Sequence, residues 1–144
     1  MRHLIGLWLL CHVSLAAALP DLFPDVATAY RVEIDSTPTW ERKAHERLPP
    51  ASLTKLMTAL LVIEQGDLTR EVRISPAAAR ETGSRIKLKP GERYVLQDLL
   101  AATLMASAND SCHALADALA GNEREFVKRM NQRAAELGMR DTHF

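Results

Sequence analysis

The sequence predicts an α/β (α+β) fold. Two loosely alternating, β-rich stretches occur at 29–35 and 84–96. A strongly apolar helical run occupies 51–65, and three further helical segments follow between residues 98 and 138. Strands and helices therefore interleave within a chain of 144 residues, a length that suits one domain.

The N-terminus stands apart from that pattern. Arg2 and His3 precede an apolar run from Leu4 to Leu15, then Ala16, Ala17 and Ala18. A charged start, a short apolar stretch and an A-x-A site form the pattern of a secretory signal peptide, with cleavage expected after Ala18. The run is shorter than the ~20 residues of a permanent membrane span. Leu10 before Cys11 argues against a lipoprotein signal. Residues 19–28 read as a Pro-containing leader.

The sequence AYRVEID (29–35) predicts a strand, STPT a turn, and TWERKA a second, shorter strand. Pro49 and Pro50 then set up a helix from about Ala51 to Gln65, ended by Gly66. The segment 67–83 is irregular, with VRIS a candidate short strand. SRIKLKPGERYVL predicts a hairpin about Lys89-Pro90-Gly91-Glu92. Asp98 is a candidate N-cap for a helix through LLAATLMA, which breaks at Ser107-Ala108-Asn109-Asp110. A second helix runs to about Leu119 and ends at Gly121. Asn122 caps the last one, with Glu125 in the capping-box position and Gly138 beyond its end. Phe126, Val127, Met130, Ala134 and Leu137 share one face of it and predict core packing. The chain closes on RDTHF without a capping element, which reads as mid-domain.

Composition excludes several classes. Hydrophobic residues make up 47%, enough for a packed core. Eighteen basic and eighteen acidic side chains cancel, and no basic stripe interleaves with aromatics, so no nucleic-acid partner is expected. Once Cys11 leaves with the signal, Cys112 alone remains and no intrachain disulfide can form. The histidines show no ligand spacing, and Cys112 beside His113 does not make a metal site. No Gly-rich phosphate loop is present. Neither metal nor cofactor is expected.

The helix at 51–65 poses the chemical question. Between Leu53 and Ile63 its only charge is Lys55, one turn after Ser52. A lysine among apolar residues is costly unless it is paired, sheds its proton or snorkels outward. A serine hydroxyl needs a base to become a nucleophile, and a desolvated lysine can serve as one. At a helix start Ser52 also meets unpaired backbone N–H groups that favour a developing oxyanion. Yet S-x-x-K arises by chance about once in every few hundred residues at average usage. The break at 107–110 is equally two-sided. Ser107 and Asn109 are good helix caps, but they can also relay a proton and hold a carbonyl.

Taken together the two motifs are far more specific. P-A-S-L-T-K-L-M-T-A (50–59) and S-A-N-D (107–110) resemble the serine-type D-alanyl-D-alanine carboxypeptidases, the low-molecular-mass penicillin-binding proteins of peptidase family S11. G-E-R-Y-V-L-Q-D-L-L (91–100), F-V-K-R-M-N-Q-R-A-A-E-L-G-M (126–139) and the closing D-T-H-F extend the likeness from about residue 29 to the end. The resemblance implies a DD-peptidase/β-lactamase-like transpeptidase fold, a helical cluster on an antiparallel sheet. It implies Ser52 as nucleophile, with its backbone N–H forming half of the oxyanion hole, and Lys55 as proton acceptor. Ser107 and Asn109 form the second motif, Ser107 catalytic and Asn109 substrate-binding. The implied partners are the peptidoglycan pentapeptide stem and, as covalent inhibitors, β-lactams. An exported location is implied, in the periplasm or on the outer face of a bacterial cytoplasmic membrane. A membrane attachment is implied only through a C-terminal anchor outside these residues.

One departure is large. The family's third motif, Lys-Thr-Gly on a downstream strand, does not occur in the sequence. By resemblance, residues 29–144 are the N-terminal part of a catalytic domain whose closing strands are missing. The 144 residues alone are then expected to be inactive and poorly folded, with apolar surface of the 51–64 helix uncovered. A DD-endopeptidase of the same family is the nearest alternative, and S-A-N-D followed by a small residue favours the carboxypeptidase branch. A class A β-lactamase shares S-x-x-K but fits the 107–110 region less well. A non-catalytic module that binds cell-wall peptide is the alternative from another class.

Overall fold

The computed structural model describes residues 20–22, 24–65 and 67–144. The expected signal at 1–18 and Gly66 lie outside the described residues. The chain divides between Arg47 and Leu48 into two compact units.

The first unit holds a β-hairpin, β1 (Tyr30–Ile34) antiparallel to β2 (Thr37–Arg42). Asp35 and Ser36 form its two-residue turn, with φ of 50° and 62°. Positive φ at both central residues matches the turn to the twist of the strands. The turn is thus tighter than STPT suggested, and β2 begins at Thr37. A bulge interrupts the ladder between Val32 and Glu33. Arg42 reaches back to the Asp25 carboxylate at 2.6 Å.

Among its described residues the second unit is a cluster of four α-helices with a two-stranded sheet. A 3₁₀ turn, Ala51–Leu53, leads into α1 (Thr54–Gln65). The sheet pairs β3 (Glu71–Arg73) antiparallel with β4 (Arg93–Val95), Val72 opposite Tyr94. Then come α2 (Leu96–Met105), α3 (Asn109–Ala120) and α4 (Glu123–Glu136). Helix α3 is central and packs on α1, α2, α4 and β3. Its Ala114, Leu115, Ala116 and Leu119 are buried among Val62, Ile74, Leu99, Phe126 and Met130. Each fully buried large aliphatic side chain contributes about 1.5–3 kcal/mol. Helix α1 buries Met57, Thr58, Ala59 and Val62, while Leu56 and Ile63 are more than half exposed. The helix is therefore two-faced, although its sequence is apolar nearly all round. Arg133 of α4 grips Glu64 near the end of α1, its Nη2 donating at 2.6 Å.

Several local expectations change. The 84–96 hairpin does not form: β4 pairs with β3, and residues 84–90 make no strand. The reason is Asp110. Its carboxylate, 1% exposed, accepts from Ile86 N (3.2 Å), Leu88 N (3.0 Å) and Ser111 N (2.9 Å). The donors that a strand partner would need are already engaged. The turn at Lys89–Glu92 survives, closed by Glu92 N donating to Lys89 O at 3.2 Å.

Asp98 lies in the first turn of α2 and does not cap it. Leu96 N and Gln97 N donate to the carbonyls of Arg70 and Leu68, so backbone fills the capping role. Asn122 does cap α4, accepting from Glu125 N at 3.0 Å. Glu125 turns to Lys128 at 2.6 Å, which pulls its carboxyl below the usual range. Gly121, with φ of 83°, ends α3 in the left-handed conformation that suits glycine. Phe126, Met130 and Ala134 are buried as expected, Val127 packs partly against the core, and Leu137 is 47% exposed.

Asp110→Ala is expected to lower the urea-unfolding free energy by about 3 kcal/mol, because three backbone donors lose a charged acceptor. Ser111→Ala next door makes the contrast. Its buried hydroxyl has no partner among the described residues, so removing it leaves stability unchanged or raises it by up to about 1 kcal/mol. Equal losses for the two variants would contradict this accounting.

Candidate active site

Ser52 sits in the 3₁₀ turn ahead of α1, exposed, and Lys55 follows in the first turn of α1, half-buried. Ser107 occupies the bend between α2 and α3, and Asn109 is the first residue of α3. Packing of α1 against α2 and α3 brings these residues together across more than fifty positions of sequence. Ser52 Oγ lies 2.8 Å from Ser107 Oγ, and Lys55 Nζ donates to Asn109 Oδ1 at 2.8 Å.

The pairing is crosswise. Lysine meets the asparagine amide, and serine meets serine. Lys55 is neither deeply buried nor unpaired, which answers the desolvation problem that its apolar helix raised. Ser52, Lys55 and Ser107 line one open cleft of about 380 Å³, walled by Leu53, Leu56 and Leu104. Lys55 and Asn109 also line a neighbouring cavity of about 480 Å³, which Phe126 and Phe144 help to enclose. Lys55 lines both, with its amine held by the asparagine. Hydrogen bonds of this kind commonly tighten only in the substrate complex.

Neither Ser107 nor Asn109 caps α3. Its N-cap is Ala108, and its first N–H groups are taken by Ser84 O and by the Asp110 carboxylate. The polar side chains at the break are thereby left for other work. Backbone strain marks both serine turns, with φ of 47° at Ala51 and 52° at Ser107. Such conformations cost of order 1–3 kcal/mol each and gather at functional sites.

Asn109 is the most firmly held member. Its Nδ2 donates to Thr82 O at 2.7 Å and its backbone N to Ser84 O at 2.7 Å. Ser84 Oγ in turn donates to Ala106 O at 2.7 Å, tying the same loop to the end of α2. The sequence offered no signal for this loop, because carbonyl acceptors carry no residue signature. Gly83 between them is constrained on two counts. Its φ is +76°, and a Cβ there would stand 3.0 Å from Asn109 Nδ2.

Cys112 is partly buried on α3 and donates to Thr58 Oγ1 at 3.5 Å. Burial pushes its thiol up, against the opposing pull of the Thr58 hydrogen bond and the Lys55 charge. The sulfur therefore stays protonated near neutral pH and is a weak nucleophile. Among the described residues no group of His, Cys, Asp and Glu is arranged to hold a metal ion.

The crystal structure of penicillin binding protein 6B from Escherichia coli superposes with a TM-score of 0.69 at 34% identity, covering 76% of this chain and 38% of that one. Helical cluster and antiparallel strands thus make up part of a DD-peptidase fold. The chain belongs to the D-alanyl-D-alanine carboxypeptidases of peptidase family S11, whose pattern matches residues 34–144. It is 39% identical over 153 aligned positions to D-alanyl-D-alanine carboxypeptidase DacF of Bacillus subtilis, covering 98% of this chain and 39% of that protein. It is 37% identical over 101 positions to the D-alanyl-D-alanine endopeptidase of Pseudomonas aeruginosa, covering 67% of this chain and 32% of that one. The chain spans well under half the length of these relatives.

Gly83→Ala is expected to strain the backbone at φ +76° and to push the Asn109 amide away from the new Cβ, moving its ¹⁵N-resolved side-chain signal. An unmoved signal would show that the loop does not control Asn109.

Proposed function

We propose that these residues supply the nucleophile and its immediate partners in a serine-type D-Ala-D-Ala carboxypeptidase acting on peptidoglycan stem peptides. Ser52 Oγ gives its proton to Lys55 Nζ and attacks the carbonyl carbon of the D-Ala-D-Ala peptide bond. Asn109 Nδ2, which keeps one N–H beyond its bond to Thr82 O, holds a carbonyl of the substrate. As the tetrahedral centre collapses, the C–N bond breaks and the departing amine takes a proton through Ser107. The acyl group remains as an ester on Ser52. Water then hydrolyses that ester, and the hydroxyl of Ser52 is restored. A β-lactam acylates the same oxygen by opening its ring amide, and no metal or cofactor enters any step.

The convergence of the Ser52–Ser107 and Lys55–Asn109 contacts, each 2.8 Å, is the observation that supports this reading. Residues from two distant motifs meet on one rigid helical frame, as a pre-organised acyl-transfer site requires. The kinship with an endopeptidase supports a second reading, in which the bond cut lies in a cross-link and the same residues act alike. Both substrates lie outside the cytoplasm, and an exported protein fits the signal-type segment at 1–18. Among the described residues no helix is long and apolar enough to cross a membrane. The 144 residues contain no Lys-Thr-Gly to clamp a substrate carboxylate, so in this reading they release no D-alanine by themselves.

In the full-length protein, Ser52→Ala is expected to lower D-alanine release from a pentapeptide by at least about 10³-fold. Lys55→Met is expected to lower it about 10²- to 10⁴-fold, the range of a lost general base. Release that survives Ser52→Ala would overturn the assignment. A folded full-length protein that binds pentapeptide yet releases nothing would mark a non-catalytic module instead.

A further inference from the structure

Helix α3 touches the 81–84 loop at a second point. His113, one helical turn beyond Asn109, donates from Nδ1 to Glu81 Oε1 at 2.7 Å, and its side chain is only 13% exposed. On the other side of the ring, Nε2 lies 3.5 Å from Asp117 Oδ1. Asp117 Oδ2 accepts from Ser75 Oγ at 2.6 Å, and Ser75 Oγ accepts from Ala78 N at 3.0 Å. Those bonds fasten the 3₁₀ turn Ala78–Arg80 that delivers Glu81. Glu81 N closes this turn on Ala78 O at 3.1 Å. Thr82 follows at once, and its carbonyl is the acceptor for Asn109 Nδ2.

The loop is therefore clamped to α3 from both ends, by Asn109 through backbone carbonyls and by His113 through Glu81. We propose that His113 and Glu81 are positioning residues for Asn109, holding the Thr82 and Ser84 carbonyls where they fix the amide that engages Lys55. This rests on the reading of Ser52, Lys55 and Asn109 given above. His113 and Glu81 line the cavity that Lys55 and Asn109 share, and among the described residues neither is hydrogen-bonded to Ser52. They act through the loop, and Asp117 and Ser75 hold the imidazole and the turn in register. A histidine beside a cysteine had suggested nothing in the sequence, since its partners lie on another element.

The test uses the full-length protein with His113→Ala, Glu81→Ala, the double variant and His113→Asn. Asparagine keeps an N–H donor near the place of Nδ1. Two readouts are taken: the rate at which a fluorescent penicillin labels Ser52, and the ¹⁵N-resolved side-chain amide signal of Asn109. Each alanine variant is expected to slow labelling about tenfold and to move the Asn109 signal, through misplacement of the amide. The double variant should be no slower than either single one, and His113→Asn should recover the rate to within about threefold. Parental labelling with an unmoved Asn109 signal in the alanine variants would overturn the proposal. So would strictly additive losses, or failure of His113→Asn to recover either readout. If the parent itself does not label at Ser52, the catalytic reading falls, and the Asn109 signal alone then decides the positioning role.

Discussion

The buried carboxylate of Asp110 is the constraint on which the site depends. It sits at the start of α3 with 1% of its surface exposed and gathers three backbone N–H groups, two of them from the 86–88 segment. A buried charge is tolerable only when its lone pairs are engaged, so the segment must lie against the helix end. That placement brings Ser84 O to Asn109 N and Thr82 O to Asn109 Nδ2. With Asn109 fixed, its Oδ1 is presented to Lys55, and the bend that carries Ser107 is set opposite Ser52. Removing the carboxylate would free the loop and the first turn of α3 together.

The site is divided between rigid and strained parts. Lys55 and Asn109 stand on the first turns of two packed helices, where position is set by the core around Leu99 and Leu115. The serines stand on short turns flanked by positive φ angles, where the hydroxyls reach past the helix ends. The lysine amine and the asparagine amide thus stand on helices, and the two hydroxyls on turns. The acyl transfer proposed above needs both, a fixed frame and an accessible nucleophile.

The last helix, with Asn122 as cap and Phe126, Met130 and Ala134 inward, was legible because each signal is local and periodic. The first hairpin was legible to within two residues for the same reason. The apolar helix with its S-x-x-K was placed correctly, although the 3₁₀ character at Ser52 was not foreseeable from residue type. The supposed second hairpin failed because alternation in SRIKLK shows a strand-like period and not a partner. A carboxylate more than twenty residues away had claimed its donors. Asp98 failed as a cap because two backbone carbonyls across the fold had done that work. The lone lysine one turn after Ser52 and the polar break at 107–110 singled out the candidate residues, and the motif resemblance gave them roles. Their crosswise contacts, and the loop that steadies Asn109, are long-range and invisible to spacing.

The proposed role of Ser52 turns on where an acyl group attaches. Full-length protein treated with a penicillin, digested and mapped by mass spectrometry should carry one adduct, on the peptide that contains Ser52, and none after Ser52→Ala. An adduct on Ser107 or Cys112, or none on a folded and complete protein, would contradict the central claim that Ser52 is the nucleophile.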